Sequence, residues 1–326
     1  MDYTIGVGTV GAGLWVSYNS GGKFRHIYRG VEAECNCRAL AVSPHTPGVI
    51  LAAQDQVGVI RSEDNGGTWE RIGNRIDSDI WSLAFDPHDD QRIYVGTRPG
   101  VWCSSDGGAS FQPLDTSISA ECPIGVSRTT NIVVDPVDPN TVWASVEVNG
   151  LHVSHDRGAT WTALPALGQS EFYDDVHGFA IRQTTAGTQL LATSPFGFAR
   201  SNDQGQTWDW HEFAGFPGSK MEYAYCRAVR EPWDDGTLIV CAGDYIPGQT
   251  GAVEVSRDAG DTWERAELPV TPNSTMYWQA HHPDLPGVAL ASSVFGQIYV
   301  TENHAQSWRK IDREFGEIRA LSLTPA

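Results

Sequence analysis

The chain has 326 residues, 40% of them hydrophobic and 19% charged, so it can bury a substantial core and does not have the composition of a disordered protein. Its 34 glycines, 18 prolines and 12 tryptophans favour many short strands joined by turns. The net charge of −18 and the pI near 4.8 exclude nucleic acid and anionic membrane surfaces as expected partners, because both require clustered cations.

The N-terminal sequence MDYTIGVGTVGAGLW has no basic start and no continuous apolar run. No stretch of the chain approaches the roughly 18 consecutive apolar residues of a membrane helix. We therefore expect no signal peptide, no transmembrane segment and a cytoplasmic location. The six cysteines are too few for a disulfide framework and are compatible with reduced thiols.

One octet recurs along the whole chain. Its copies start at residues 17, 62, 104, 154, 201, 256 and 301, so that neighbouring copies lie 42 to 55 residues apart. Four copies share the pattern Ser-x-Asp-x-Gly-x-Thr-Trp, and a fifth ends in Ser-Phe. The sequences are SEDNGGTW, SHDRGATW, SNDQGQTW, SRDAGDTW and SSDGGASF, with two degenerate copies, SYNSGGKF and TENHAQSW.

The octet is typical of a hairpin turn that carries its own anchor. The Asp accepts hydrogen bonds from nearby backbone N–H groups, Gly supplies a positive φ, and we expect the Thr methyl and the Trp ring to pack into the core. Each copy is surrounded by four predicted strands in about 45 residues, which is one blade of a β-propeller. Only two strands precede the first octet, so the C-terminal strand is expected to complete the N-terminal blade and leave no open sheet edge.

The octet resembles the Asp-box, or BNR, repeat of the sialidase-like propeller superfamily, and the resemblance covers nearly the whole chain. It implies an all-β fold: a seven-bladed β-propeller with four-stranded blades, forming a single domain over residues 1–326. That superfamily includes sialidases, xyloglucan-cleaving enzymes, the sortilin luminal domain and a photosystem II assembly propeller. The repeat therefore predicts the fold and leaves the function open.

Functional residues are expected where the seven inner strands begin, on the face opposite the octets. Aligning these strands on their closing Pro gives one candidate in each blade: Arg38, Trp81, Thr130, His177, Cys226, Tyr277 and Arg319. In the fifth blade an alternative alignment places Arg227 at this position instead of Cys226. The residues two positions earlier include Asp79, Arg128, Asp175 and Glu317, and the intervening residues are mostly apolar, as expected for a strand with one wet side.

These candidates combine cations with acid/base groups. Arg38, Arg319, Arg128 and Arg227 are predicted to bind an anionic group, because guanidinium forks match carboxylates, with Trp81 and Glu317 completing the binding set. Asp79 and Asp175 are predicted acid/base or nucleophilic carboxylates, and His177 is a base placed two residues after Asp175. The resemblance to sialidases adds Tyr277 as a nucleophile candidate, although the Phe-Arg-Ile-Pro segment of sialidases is missing. The alternative is that these opposite charges only pair with each other.

The loops between the second and third strands add a rim of acids and aromatic rings, which suit a sugar or another flat, polar ligand. Its members are Gln54, Asp55, Arg98, Glu147, Phe196, Asp244, Tyr245 and Phe295. The alternative is ordinary packing of the rings between blades. The sequence requires no cofactor and assigns no metal ligand, while leaving open a divalent metal at the mouth of the channel.

Two functions are compatible with these residues. The first is an enzyme, a hydrolase of the glycosidase type or a lyase, acting on a small anionic or saccharide-like substrate at the channel mouth. The second is a non-catalytic binding or assembly propeller similar to the photosystem II assembly factor, for which a protein partner is expected. The acidic charge and the missing leader favour the enzyme.

Overall fold

The computed structural model describes residues 2–32, 34–116 and 118–326, and its regular structure is almost entirely β-strand. In these residues seven four-stranded sheets follow one another along the chain, together with one two-stranded hairpin. The protein is a seven-bladed β-propeller, as the octet repeat predicted. A single 3₁₀ turn, Glu171–Asp174, is the one helical element in the described residues, and no helix there is long and apolar enough to cross a membrane.

The described residues group into two compact units. Unit 1 consists of the N-terminal segment up to Val7, Ser17–Arg25 and His177–Ala326, and unit 2 consists of Gly8–Val16 and His26–Val176. That all blades form one domain remains a prediction of the repeat. Each unit is described by itself below.

The first strands of the chain and the sheets of unit 2 follow in order. The chain begins with β1 (Tyr3–Thr9), β2 (Leu14–Ser17) and β3 (Arg25–His26). The next sheet contains β4 (Cys37–Val42), β5 (Ile50–Gln54), β6 (Gly58–Ser62) and β7 (Glu70–Arg71). The one after it contains β8 (Ile80–Asp86), β9 (Asp89–Thr97), β10 (Val101–Ser104) and β11 (Gln112–Pro113). A hairpin of β12 (Glu121–Cys122) and β13 (Gly125–Val126) precedes the sheet of β14 (Thr129–Val134), β15 (Val142–Val146), β16 (Gly150–Ser154) and β17 (Thr162–Ala163).

Unit 1 contains three further complete sheets. They are built from β18 (Gly178–Thr184), β19 (Gly187–Ser194), β20 (Gly197–Ser201) and β21 (Asp209–His211); from β22 (Tyr225–Arg230), β23 (Leu238–Gly243), β24 (Gly251–Ser256) and β25 (Glu264–Arg265); and from β26 (Met276–His281), β27 (Ala289–Ser293), β28 (Ile298–Thr301) and β29 (Arg309–Lys310). The last strand is β30 (Ile318–Pro325), and the remaining sheet has the order β3-β2-β1-β30. The predicted closure by the C-terminal strand is confirmed.

The octets form the turns between the third and fourth strands. In the copy at 62–69, Asp64 accepts hydrogen bonds from the Thr68 N–H and the Thr68 hydroxyl, both at 2.8 Å. The Gly66 N–H donates to Ser62 Oγ at 2.8 Å, and Gly66 has a φ of +89°. The Trp69 ring is buried and its Nε1 donates to the Gly66 carbonyl. The octet is therefore a self-contained turn that seats an aromatic ring in the core.

One part of the octet prediction was wrong. The Thr side chain does not pack into the core, because Thr68 and its counterparts Thr160, Thr207 and Thr262 are exposed. Each of these threonines donates its hydroxyl to the octet Asp instead. The residue is selected for a hydrogen bond that closes the turn, so Ser110 can replace it in the fifth copy.

Apolar clusters between neighbouring sheets form the core within each unit. In unit 2 the sheets that begin with β4 and β8 share a cluster in which Leu51, Ile93 and Phe111 are fully buried. In unit 1 a corresponding cluster contains Phe198, Val229 and Leu238. Both faces of a sheet contribute to such clusters, since Ile93 and Tyr94 of β9 belong to different ones, so the side chains left for chemistry lie at strand ends and in loops.

We predict an acid-sensitive contribution to stability from the octets. The hydroxyl and the backbone N–H four residues later lower the pKa of Asp106, Asp156, Asp203 and Asp258 to about 2, against about 3.9 in an unfolded chain. A lowered pKa in the folded state stabilises the protein above the unfolded pKa, and this contribution disappears as the pH falls from about 4 towards 2. Asp203→Asn is expected to lower the Tm at pH 7 by a few degrees, on the order of 2–4 °C, measured by thermal unfolding.

The difference in Tm between wild type and Asp203→Asn should shrink as the pH approaches 2. Asp77→Asn is the matched control, because the Asp77 side chain is 95% exposed and lies outside the octets. A difference that stays constant from pH 7 to pH 2 would contradict the assignment of Asp203 as an ionised anchor.

Candidate functional site

A β-bulge marks the start of the first strand in several sheets of both units. Strand pairing skips one residue at Arg38, at Trp81, at Thr130 and at Tyr277, and skips two residues, Arg227 and Ala228, in β22. A bulge leaves its extra residue out of the ladder and re-aims its side chain. All of these residues except Ala228 are candidates from the strand alignment, so five predicted candidates lie at bulges.

In unit 2, Trp81 is the centre of a charged cluster. The guanidinium carbons of Arg38 and Arg128 lie 5.0 and 4.7 Å from the centroid of the Trp81 ring. These distances are within the range of cation–π attraction. Three residues that were predicted to bind a substrate therefore bind each other.

Both arginines of this cluster are paired with a carboxylate from a loop between the second and third strands. Arg38 donates from Nε to Asp55 Oδ1 at 3.1 Å and from Nη2 to Oδ2 at 3.0 Å, a bidentate pair. Arg128 Nη1 lies 2.6 Å from Glu147 Oε2. Asp55 also accepts a hydrogen bond from the Asn36 side chain at 2.7 Å. The positive charge of the cluster is thus balanced within unit 2.

Glu147 lies close to a second buried acid, Asp175. Each of the two residues is 8% exposed, and one carboxylate oxygen of Glu147 lies within 4.8 Å of one of Asp175. Asp175 caps the 3₁₀ turn, and the chain after it is held by a hydrogen bond from Thr130 Oγ1 to the Val176 carbonyl at 3.0 Å. A cation bound by these two carboxylates would compete with Arg128 for Glu147.

The remaining predicted acid of unit 2 is placed differently. Asp79 is exposed in the segment before β8, and its carbonyl accepts the Arg98 N–H at 3.1 Å. Among the described residues its carboxylate has no hydrogen bond or ion pair. Asp79 is thus not part of the buried acid pair, and its predicted catalytic role stays a prediction.

In unit 1, His177, Tyr225, Arg227 and Tyr277 form a separate cluster. His177 Nδ1 lies 2.7 Å from the Cys226 carbonyl, which can only accept, so Nδ1 carries a proton. The Tyr225 hydroxyl lies 3.3 Å from His177 Nε2, within hydrogen-bond distance. Arg227 donates to the Tyr277 hydroxyl, and its guanidinium carbon lies 4.0 Å from the Tyr277 ring centroid.

The structure resolves the alignment of the fifth blade in favour of Arg227. Cys226 is fully buried in an apolar cluster, whereas Arg227 turns onto Tyr277. Burial raises the pKa of the Cys226 thiol well above its ordinary value, so this thiol is protonated and unsuited to nucleophilic attack. In the same unit Arg319 lies 5.8 Å from the Tyr277 ring and forms an ion pair with Glu317.

Sequence reasoning did not assign the partners of the arginines. Asp55 and Glu147 were recognised only as rim residues, and their pairing with Arg38 and Arg128 was not predicted. A usable signal was present, because both follow the second strand of their sheet and so lie at equivalent places. Of the predicted anion-binding residues, Arg38, Arg128 and Arg319 are each paired with a carboxylate, as the charge-pairing alternative expected.

Comparisons with known proteins support the Asp-box propeller resemblance at the level of fold. A family model described as Sortilin-Vps10 (sortilin, neurotensin receptor 3) matches residues 57–186. A probable oligoxyloglucan-reducing end-specific xyloglucanase from Neosartorya fischeri is 25% identical over 254 residues, covering 74% of this chain and 28% of the relative. The chain spans about a quarter of the length of the curated relatives it matches.

Two solved structures are similar over most of this chain. The GH74 xyloglucanase from Xanthomonas campestris aligns with a TM-score of 0.63 at 19% identity, covering 94% of this chain and 52% of that one. YCF48 from Cyanidioschyzon merolae aligns with a TM-score of 0.59 at 15% identity, covering 87% of this chain and 88% of that one. At these identities the likeness shows the fold alone.

We predict that Arg128 and Glu147 are energetically coupled. Removing one partner leaves a largely buried charge without compensation, so Arg128→Met and Glu147→Gln are each expected to destabilise the protein by about 2–3 kcal/mol. The double variant should lose less than the sum, with a coupling energy of about 1–3 kcal/mol. Chemical denaturation of the four proteins measures this.

The matched control is the Arg75–Asp77 pair of the same unit, whose side chains are 63% and 95% exposed and lie 3.7 Å apart. Its coupling should be under about 1 kcal/mol. Equal coupling in both pairs would show that the cluster around Trp81 adds nothing to an ordinary surface ion pair.

Proposed function

We propose that this protein is a glycoside hydrolase that acts on a neutral saccharide, with Glu147 and Asp175 as its carboxyl pair. The observation that carries the proposal is the approach of these two buried acids, whose oxygens lie within 4.8 Å of each other. Hydrolysis of a glycosidic bond requires one carboxyl group as acid and another as base or nucleophile. We assign Glu147, which is ion-paired with Arg128, as the carboxylate, and Asp175 as the acid.

The charge balance supports a neutral substrate over an anionic one. Arg38 and Arg128 are each paired with an acid of unit 2, and Arg319 is paired with Glu317 in unit 1. An anion would have to displace these carboxylates, at the desolvation cost of leaving them without a cation. The similarity to xyloglucanases makes xyloglucan oligosaccharides the first substrates to test. A lyase built on His177 stays the sequence-based alternative.

A second candidate is a binding propeller without chemistry. Its support is that YCF48 matches this chain over nearly the full length of both proteins, whereas the matched xyloglucanases are much longer. The paired arginines also fit a structural role. This candidate expects a partner or saccharide to bind without being changed.

A turnover assay distinguishes the glycoside hydrolase from the binding propeller. The full chain is incubated with xyloglucan oligosaccharides, and new reducing ends are followed by mass spectrometry. We expect hydrolysis by the wild type and a fall in kcat of about 10²–10⁴-fold in Glu147→Gln and in Asp175→Asn, because each loses a proton-transfer group. KM should change little, since neither substitution removes volume from the site.

Asp77→Asn serves as the control acid and should retain wild-type turnover, since its side chain is 95% exposed. Asp79→Asn tests the exposed acid for which the sequence predicts a catalytic role. Full activity in Glu147→Gln would overturn the assignment of the pair. Binding of the oligosaccharide without any release of reducing ends would replace the hydrolase by the second candidate.

A further inference from the structure

The loops between the second and third strands carry different chemistry in the two units. In unit 2 they present charged side chains, Asp55, Arg98 and Glu147, two of which hold the arginines around Trp81. In unit 1 the same loops of three consecutive sheets present aromatic rings, Phe196, Tyr245 and Phe295. We call these three residues the aromatic rim. The shared structural position distinguishes them from apolar side chains that are exposed singly and need no explanation.

Two rings of the aromatic rim are exposed and the third, Phe196, is half-buried. Tyr245 is 58% exposed and Phe295 is 44% exposed. The Phe295 N–H donates to Ser274 Oγ and its carbonyl accepts from Asn273 Nδ2, both at 2.9 Å. The Phe295 ring is therefore exposed on a loop whose backbone is fixed by hydrogen bonds.

The Tyr245 loop is fixed equally well. Its carbonyl accepts the Thr275 hydroxyl, and the Thr275 N–H donates to the Pro247 carbonyl at 2.9 Å. Asp244 Oδ1 accepts the N–H groups of Gln249 and Thr250 at 2.9 and 3.2 Å. A preorganised ring loses little conformational entropy when a ligand stacks on it, which favours binding.

A second layer of rings lies behind the rim. The Tyr225 ring is 6.3 Å from that of Tyr245, and the Tyr223 ring is 5.3 Å from that of Phe196. Tyr225 is nearly buried and is held by its hydrogen bond to His177. Two of the three rim rings, those of Phe196 and Tyr245, thus pack against an inner ring.

The polar groups around the rim indicate the chemistry of the ligand. Ser219 Oγ donates to the Asp244 carbonyl at 3.1 Å, which places the segment after it beside the Tyr245 loop. That segment exposes Lys220 and Glu222, of opposite charge, and the loop itself exposes Gln249. A ligand with flat apolar faces and hydrogen-bonding edges but no net charge fits this mixture, and a pyranose ring has both properties.

We propose that the aromatic rim of unit 1 is a binding surface for a linear oligosaccharide, with one sugar ring stacked on each aromatic side chain. This inference rests on the proposed function for its substrate class, but it concerns other residues. Tyr245, the most exposed ring, is expected to contribute most. Because three sheets each supply one ring, affinity should increase with the number of sugar units.

The test is calorimetric titration of the full chain with xyloglucan heptasaccharide, cellotetraose and glucose. We expect measurable binding of the heptasaccharide and the tetrasaccharide, and affinity for glucose at least tenfold lower. Tyr245→Ala and Phe295→Ala should each raise the Kd for the heptasaccharide at least tenfold, which corresponds to about 1.4 kcal/mol. Tyr245→Phe retains the ring and should bind within twofold of wild type.

Tyr28→Ala is the matched control, because Tyr28 is 67% exposed and belongs to unit 2. Its Kd should equal that of wild type. Wild-type affinity in Tyr245→Ala and Phe295→Ala, an equal loss in Tyr28→Ala, or no binding of the heptasaccharide at about 5 mM would each overturn the proposal. Thermal unfolding confirms that the alanine variants are folded.

Failure of this proposal is distinguishable from failure of the hydrolase. If the wild type binds the heptasaccharide in a Tyr245-dependent manner without cleaving it, the binding-surface proposal is supported and the catalytic assignment of Glu147 is wrong. If Glu147→Gln loses turnover while Tyr245→Ala retains full affinity, the hydrolase proposal is supported and the binding-surface proposal is wrong.

Discussion

Five sheets of this protein carry a β-bulge near the start of their first strand among the described residues, and most of the predicted site residues on these strands lie at such a bulge. A regular antiparallel ladder directs successive side chains to the two faces of a sheet, and here both faces contribute to apolar clusters. The extra residue of a bulge leaves the ladder and its side chain is re-aimed. At Cys37, Ile80 and Met276 the residue before the bulge is apolar and buried, so the bulge separates a core position from a predicted site position.

The repeat made the fold predictable because its information is local. All the hydrogen bonds that define the octet turn connect residues at most four positions apart, for example Ser62, Asp64 and Thr68. Seven such turns at regular spacing determine the number of sheets, and the unfinished first sheet predicts the closing strand. The exposed position of Thr68 was not predicted, because its methyl group suggested burial in the core. Its position is determined instead by the hydrogen bond from its hydroxyl to Asp64.

The site was less predictable because its defining contacts join distant parts of the chain. Arg38 meets Asp55, Arg128 meets Glu147, and both arginines meet Trp81, which the sequence places far from either partner. Alignment of the strands found the arginines and the tryptophan, since each occupies a repeated position. It did not reveal which acid neutralises which cation, because each pair joins the start of the first strand of a sheet to the loop after its second strand, and this contact depends on the side-chain conformations. The alignment also could not choose between Cys226 and Arg227, because a two-residue bulge leaves no signature in the pattern of apolar residues.

The acidic composition now has a structural explanation that separates it from function. Octet acids such as Asp106, Asp156 and Asp203 are stabilised as anions by hydroxyl and N–H groups without a cation, and their pKa values of about 2 keep them charged at any physiological pH. They add negative charge on the octet side of each sheet without providing a binding surface. Around the bulges, by contrast, acids and arginines are matched in pairs. The five octet aspartates, Asp64 included, thus account for part of the net charge of −18, and the proposals above assign the recognition of a ligand to other features, an acid pair in unit 2 and aromatic rings in unit 1. Loops on a fixed scaffold can differ in this way because the strands beneath them carry the stability.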